Sequence, residues 1–584
     1  MRARWYRTSQ AQSVRLAPRN VWGSEMDFTC DYVVVGAGSA GCVLAARLSE
    51  SGLHEVCLLE AGGPDHSVLL RCPAGLAGLT KSGRFNWGLQ TRPQQGLSGR
   101  TAYQPRGKVL GGSSAVNAMI YVRGQPQDYD FWHAQGNPGW SWEEVKPWFL
   151  KAQHQERGVD AFHAQGGPLN VADLQQPNAL TLDFVQAGVQ AGHPHNHDFN
   201  GHQQEGVGIY QVTQKNGERH SVASAYLLPN LHRSNLHVRT GAHVLRIVLT
   251  QGPQGVRATG VEYVQGGVRH VVHARREVLL SAGALLSPQV LMCSGIGPAA
   301  HLQAVGVPVI HDLPGVGEHL HDHLDATLVY DAPSLRQSFG LSVGGAWDML
   351  RGAWQWHHRR TGRLTTNFAE GGAFLRSSPQ QTLPDIQLHF VVAKLLDHGR
   401  QTVWGHGYSC HMCLLQPRSR GRVRLRSADP LSPPDVDPNY LGDAQDLWQM
   451  VQGVRVMRHI LAQPALARHG ARELPRSAVA QTPKQIAQWI RETAETIYHP
   501  VGTCRMGPGP MDVVNSRLCV HGVQGLRVVD ASIFPRMVSG NTNAPCVMVG
   551  EKAAHMILED AHVPVHNAAQ AQVMGLPNEA NLES

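Results

Sequence analysis

The chain has 584 residues, 42% hydrophobic and 16% charged, which is enough for two or three domains with a sizeable core and excludes general disorder. Its 51 Lys and Arg against 44 Asp and Glu give a net charge of +7. No Lys/Arg-rich run interleaved with aromatics is present, so nucleic acid is not an expected partner, and no stretch approaches ~18 consecutive apolar residues, so no transmembrane helix is expected.

The first 25 residues carry Arg2, Arg4, Arg7, Arg15 and Arg19 with one acid, Glu25, and no apolar segment. This is not a secretory signal. A transit-like peptide is one reading. The preferred one is that translation begins at Met26, just before the first strand, and that the extension lies outside the fold. Residues 31–35 form a β-branched run, followed by Gly36-Ala37-Gly38-Ser39-Ala40-Gly41. A helical stretch at 42–50 and a strand at 56–59 ending on Glu60 come next. Residues 61–150, rich in Gly and Pro, read as loops and short helices wrapped over a ligand.

Strand-like runs return at 236–248, 258–263 and 268–281. The middle, roughly 325–490, differs in texture. It has helix-like segments at 347–356 and 447–460 and strands near 386–392 and 408–415, and it reads as a second domain. After Tyr498 the chain is Gly-rich again, then gives a strand at 526–530 and a helix at 544–558. The last 20 or so residues are small, polar and peripheral. No internal repeat is found.

The ten cysteines are scattered. Cys410 and Cys413 form a CxxC without a second pair at zinc spacing, inside an apolar strand-like stretch, so buried thiols are expected. A reducing, cytoplasmic location fits. His193, His195 and His197 share their segment with Gly192, Pro194, Asn196 and Asn200 and read as a polar loop. No metal is expected.

Five segments carry chemistry. In the first, Gly36 permits a tight turn, Gly38 lets backbone approach a pyrophosphate, and Gly41 lets the helix pack on the strand. The helix N-terminus then presents free N–H groups to phosphate. Glu60 is placed to accept hydrogen bonds from ribose hydroxyls. Strand, turn, helix, strand and acid together point to a dinucleotide, either FAD or NAD. The second segment is Arg106-Gly107-Lys108-Val109-Leu110-Gly111-Gly112-Ser113-Ser114, followed by Asn117. It looks like a loop cradling phosphate or sugar oxygens, although a Gly-rich surface loop is nearly as good a reading. The third runs from Ser281-Ala282-Gly283-Ala284 through Ser287-Pro288 to Ser294-Gly295-Ile296-Gly297. The fourth is Tyr498-His499-Pro500-Val501-Gly502-Thr503-Cys504-Arg505-Met506-Gly507. The fifth is Asp530-Ala531-Ser532 followed by Gly540-Asn541-Thr542-Asn543-Ala544-Pro545.

In this order the five segments resemble the glucose–methanol–choline oxidoreductase family, over nearly the whole chain from Asp31 to about Leu558. Within it the likeness is strongest to bacterial alcohol dehydrogenases of alkane-oxidation pathways. It rests on Asn86-Trp87, Gln211-Val212-Thr213-Gln214-Lys215-Asn216-Gly217 and His398-Gly399-Arg400. Choline dehydrogenases are close relatives.

The resemblance implies FAD, with His499 as catalytic base and Asn543 as its partner. It implies that Gly36, Gly38, Ser39, Gly41, Glu60, Ala61, Arg106, Gly111, Gly112, Ser113, Asn117, Val244, Ala282, Gly283, Asp530, Ala531, Asn541 and Pro545 hold the cofactor. Neutral imidazole suits removal of a hydroxyl proton, and the flavin takes the hydride. Asn543 stands at an expected helix start, whose positive end would face the flavin. Some members attach FAD covalently to a His, and Val116 stands at that position, so non-covalent FAD is expected. His319 stands where the family usually shows Asn. Glu370 matches a glutamate near the ammonium group in choline-oxidising members, but it can equally be a structural cap.

The expected fold is α/β, with a discontinuous FAD-binding Rossmann-like domain (27–325 and 491–560), a sheet-plus-helices substrate domain (326–490) and a tail (561–584). The expected function is oxidation of a primary alcohol to an aldehyde, with electrons passed to a quinone-type acceptor and possible peripheral attachment to the inner membrane. Choline dehydrogenase or an oxygen-using oxidase is the near alternative. A non-catalytic flavin-binding protein is the alternative of another class.

Overall fold

The computed structural model describes residues 28–561 except Leu341 and Thr402. The Arg-rich extension, Met26 and 562–584 lie outside the described residues.

Two sheets face each other across one large cavity. The first is built on β1 (Phe28–Val35), whose Val33, Val34 and Val35 are buried as a run, as expected of a strand covered on both faces. The glycine turn leads to α1 (Ser39–Leu48), and β2 (Val56–Glu60) pairs parallel with β1. Helix α1 starts three residues earlier than its apolar periodicity indicates, so its N-terminus meets Gly38 directly.

The second sheet borrows β3 (Gly206–Ile209) from the N-terminal half of the chain, and α2 (Ala179–Gln190) packs on the same side. The substrate-side layer is therefore not confined to 326–490. The run expected at 236–248 is two strands, β4 (Leu236–Thr240) and β5 (Ala242–Gly252). Gly241 separates them with φ +67°, a left-handed turn that reverses the pairing partner. With β6 (Gly255–Gln265) and β7 (Val268–Leu280) the first sheet has the order β4-β2-β1-β7-β6-β5. Val523–Gln524 is added on β6 and Leu526–Val528 on β7. Pairings around β1 and β2 are parallel, and β5-β6-β7 are antiparallel.

The second sheet contains β8 (Leu324–Asp331), β9 (Ala369–Leu375), β10 (Ile386–Val391) and β11 (Gly407–Leu414) in the antiparallel order β8-β11-β10-β9-β3. Helix α3 (Val343–Arg359) lies between β8 and β9 in the chain. Helix α4 (Ala444–Leu461), capped by Asp443 accepting from the Gln445 N–H, packs on β11.

Helix α5 (Asn543–Asp560) returns to the first sheet and lies against α1. A methyl group on Gly550 would stand 2.9 Å from the Val43 Cβ, so the two helices approach closely. Arg47 of α1 forks onto fully buried Glu551 of α5 at 2.9 and 2.8 Å, and the Tyr226 hydroxyl donates to the same carboxylate at 2.7 Å. This lock closes the discontinuous domain from its two ends. The strand expected at 526–530 stops at Val528, because Asp530 turns the chain by accepting from the Ser532 N–H at 2.7 Å.

Candidate active site

The cavity between the sheets has a volume of about 910 Å³. All the residues expected at the site line it except Gly41, Gly111 and Pro545. Those three shape the backbone beneath it. A methyl group on Gly41 would stand 1.9 Å from the Gly36 carbonyl oxygen. Gly111 turns with φ +91°, and Pro545 is buried in the first turn of α5.

At the first sheet, Gly36 has φ +97° and Gly112 has φ +53°. A methyl group on Gly112 would stand 2.7 Å from the Gly38 Cα, so the 106–114 loop lies directly on the glycine turn. No side chain caps the start of α1, which leaves its first N–H groups for a ligand. Ser39 donates to Asn543 Oδ1 at 2.7 Å and ties the starts of α1 and α5 together. Glu60 accepts from the Ala37 and Gly62 N–H groups at 2.9 and 2.8 Å, and burial pushes its carboxyl up to about 7. Asp530 accepts from the Gly283 N–H at 2.8 Å and from Ser287 at 2.5 Å.

At the other end stands His499. Its peptide is held from both sides. Arg106 donates to the Tyr498 carbonyl at 2.6 Å, and Asp322 accepts the His499 N–H at 2.8 Å. Tyr498 takes φ +75°, a left-handed conformation costly for a bulky residue, so this clamp sustains local strain. Tyr440 and Thr496 both donate to Asp322 at 2.5 Å.

A chain of hydrogen bonds fixes the proton positions. His323 Nε2 stands 3.0 Å from the Leu415 carbonyl, which can only accept, so Nε2 carries the hydrogen. Burial pushes His323 down to about 4, so its ring is neutral and Nδ1 is an acceptor. His499 Nδ1, 2.9 Å away, is therefore the donor, and His499 Nε2 is left unprotonated. Asn541 Nδ2 lies 3.4 Å from that Nε2. Its own Oδ1 accepts from Gln387 Nε2 at 3.2 Å, which sets the amide orientation.

The expected pairing of His499 with Asn543 is corrected here. Asn543 is the first residue of α5 and its amide is engaged by Ser39 of α1. Asn541, two residues earlier in the entering loop, is the one beside the imidazole. Sequence reasoning also missed His323, His389 and His411. Buried His389 on β10 lines the cavity, and neither of its ring nitrogens has a partner among the described residues. Burial pushes it down to about 3, so it is neutral and offers one donor and one acceptor. His411 on β11 pairs with Asp325 at 2.6 Å.

Patterns of the GMC oxidoreductase family match residues 30–325 and 417–550. The chain belongs to the GMC oxidoreductase family. It is 46% identical to an alcohol dehydrogenase (acceptor) of Pseudomonas putida over 90% of this chain and 95% of that one. It is 43% identical to the mitochondrial choline dehydrogenase of Homo sapiens over 93% of each. The structure superposes on pyridoxine 4-oxidase from Mesorbium loti with a TM-score of 0.81 and 31% identity, over 92% of this chain and all of that one. The chain is thus an enzyme of a family that binds FAD and acts on alcohols.

The residues present fit FAD. Free N–H groups at the start of α1 suit a pyrophosphate, Glu60 suits ribose hydroxyls, and the start of α5 offers a second positive helix end. Val116, which the resemblance sets at the position of the linking His, packs near Leu79, Val109 and Ala115 and has no nucleophilic atom. His319 has φ +61°, a conformation that Asn and His tolerate better than most residues, so the exchange keeps the turn. Glu370 accepts from the Asn178 N–H at 2.6 Å, Thr181 at 2.9 Å and Thr366 at 2.6 Å. These bonds make it a structural cap. Cys410 and Cys413 are buried on β11, three residues apart, where burial raises both thiols.

Proposed function

We propose that this enzyme oxidises a primary alcohol to its aldehyde, with non-covalent FAD and a quinone-type electron acceptor. The observation carrying the reading is the directional hydrogen-bond chain that leaves His499 Nε2 unprotonated on the cavity wall, its lone pair facing the Asn541 amide at 3.4 Å. Burial, with His323, His389 and Arg106 nearby, holds His499 well below the ordinary imidazole range, so it stands neutral near pH 7. A substrate hydroxyl placed between His499 Nε2 and the Asn541 amide gives its proton to the imidazole while the amide holds the oxygen. The resulting imidazolium keeps its Nδ1–H on the His323 lone pair. His389 is free to bind a polar atom of the substrate. FAD, when bound, supplies the hydride acceptor.

Glycines 36, 38 and 112, Glu60, Arg106 and the start of α5 would hold the cofactor. The P. putida relative is named for an acceptor that the name does not specify, whereas a choline dehydrogenase of Photobacterium profundum at 43% identity is named oxygen-dependent, so the quinone-type acceptor is the part of this reading that reoxidation kinetics decide. The choline dehydrogenases at 43% favour choline as a second reading, but Glu370, fully engaged by three donors, weighs against it.

Acid precipitation should release the FAD into the supernatant. Stopped-flow reoxidation of alcohol-reduced enzyme should be rapid with a quinone and slow with oxygen. Rapid oxygen turnover with stoichiometric hydrogen peroxide would make the protein an oxidase.

A further inference from the structure

The run at 211–217 takes no part in the chemistry above. It leads into a hairpin, in which Gln214–Lys215 pairs antiparallel with Glu218–Arg219. Asn216 and Gly217 both turn left-handed, at φ +51° and +71°, the Asn-Gly geometry that matches the twist of two paired strands. A methyl group on Gly217 would stand 1.8 Å from the Arg360 carbonyl oxygen, so the turn is wedged in place. Alternation then decides which side chains turn inward. Lys215 is exposed, whereas Gln214 and Arg219, directly opposite each other, are buried.

Arg219 is only 4% exposed. Its Nε donates to the Leu70 carbonyl at 3.0 Å, and its Nη1 donates to the Ser114 carbonyl at 3.3 Å and to Asn117 Oδ1 at 2.8 Å. Nη2 has no partner among the described residues, and no carboxylate among them pairs with this guanidinium. Burial pulls it down to about 9, so it keeps its charge near pH 7. A tether between three segments needs donors alone, and an interior cation without a counter-ion is costly to hold. The cost points to a use for the charge itself.

The neighbours of Arg219 show where that charge is felt. Asn117 Oδ1 also accepts the Met119 N–H at 3.0 Å, so two donors fix the oxygen and leave Asn117 Nδ2 without a partner among the described residues. Asn117 lines the cavity together with Gly112, Ser113, Ala118 and Met119. Arg219 therefore lies one side chain behind the cavity wall, where water is excluded and a fixed charge reaches further than in solvent.

We propose that Arg219 is a positioning residue for the cofactor: it aims the Asn117 amide at the cavity and holds a fixed positive charge behind it, which favours FAD in the reduced state. FAD gains a negative charge when it takes a hydride, and a charge placed beforehand stabilises it without reorganisation. The inference rests on the reading that FAD is held and reduced in this cavity.

The test is a reductive titration of the FAD-loaded enzyme with dithionite against an indicator dye, which needs no alcohol. R219K keeps the charge, and R219Q keeps a donor for Asn117 without it. R219Q should lower the preference for reduced over oxidised FAD about tenfold, about 30 mV in the two-electron potential. R219K should stay within about threefold of the parent, because the cation remains. N117A should bind FAD about three- to tenfold more weakly, the worth of one hydrogen bond, and keep the parent's preference for the reduced state. A merely structural tether would lower Tm and flavin content in R219Q and leave the potential of the retained flavin unchanged, and that result overturns the inference. So does an equal fall in R219K and R219Q. Where neither variant retains flavin, the parent decides. It should bind reduced FAD at least about tenfold more tightly than oxidised FAD, and equal or weaker binding overturns the inference. A parent whose FAD is reduced by dithionite but by no alcohol would strike the proposed function instead and leave the role of Arg219 standing.

Discussion

The two walls of the cavity are made in different ways. The first-sheet wall works through backbone: glycines bring main chain close to main chain, and the open start of α1 supplies donors. The second-sheet wall works through side chains: His323, His389, His411 and Gln387 come from β10, β11 and the segment entering β8, and their relation exists only after the strands pair. A backbone site needs few residue types at fixed local spacing. A side-chain site needs none, because long-range register sets its geometry.

The largest effect that can break this comparison is at His499. His499→Ala should slow flavin reduction by alcohol by roughly 10²–10⁴-fold while FAD stays bound. Rapid-mixing spectra at saturating alcohol measure it. Unchanged reduction would remove the imidazole from the proton transfer and leave the hydrogen-bond chain without a purpose.

A backbone site should instead fail as a whole. Gly41→Ala places a methyl group 1.9 Å from a backbone oxygen that has no flexible side chain to yield. Overpacking of this kind costs about 1–3 kcal/mol. The protein should purify with less flavin and a lowered Tm, yet its loaded fraction should react at the parent rate. A slow loaded fraction would show that the glycine turn also governs chemistry.

The Asn541 and Asn543 pair sharpens the boundary between the two walls. Asn541→Ala removes an amide next to His499 Nε2 and should slow reduction about three- to tenfold, the worth of one hydrogen bond. Asn543→Ala removes the Ser39 tie between α1 and α5 and should loosen FAD more than it slows reduction. The reverse order would return the substrate role to Asn543.

These contrasts explain what could be read in the chain before folding. The glycine turn, Glu60 and the Gly-rich 106–114 loop declare themselves because each acts through neighbours in sequence. The motif around His499 was legible by family resemblance. Its partner was not, because Asn541 and Asn543 are two residues apart and only the start of α5 decides which one faces the imidazole. His389 and His411 sit in strands buried on both faces, where the alternation that marks an outward or inward residue disappears. They read as core strand and nothing more. Strand β3 was missed as part of the second sheet for a related reason: four residues, two of them glycine, carry no period that names a partner. The break at Gly241 was hidden because both flanking segments are β-rich.

The smallest effect is a pH dependence lodged in the backbone wall. Burial pushes the Glu60 carboxyl up to about 7, against the pull of the Gly62 and Ala37 N–H groups and of Lys108. Between its ordinary value of 4.5 and about 7 the folded protein therefore binds more protons than the unfolded chain at this group. Its share of stability is complete below the ordinary carboxyl range and is lost as pH rises through about 7, where a charge must be held in the interior. Ribose hydroxyls of FAD donate best to the charged form and relieve that cost. FAD affinity should consequently fall as the solution is acidified from pH 8 to pH 6, by at most about tenfold for each unit below the Glu60 value. Glu60→Gln should bind FAD more weakly at pH 8 and lose this dependence, because an amide does not titrate. Titration of cofactor-free protein with FAD at the two pH values, parent against variant, measures the difference directly. Equal slopes in parent and variant would mean that Glu60 stays in one protonation state, and the pH dependence would then belong to the histidines of the opposite wall.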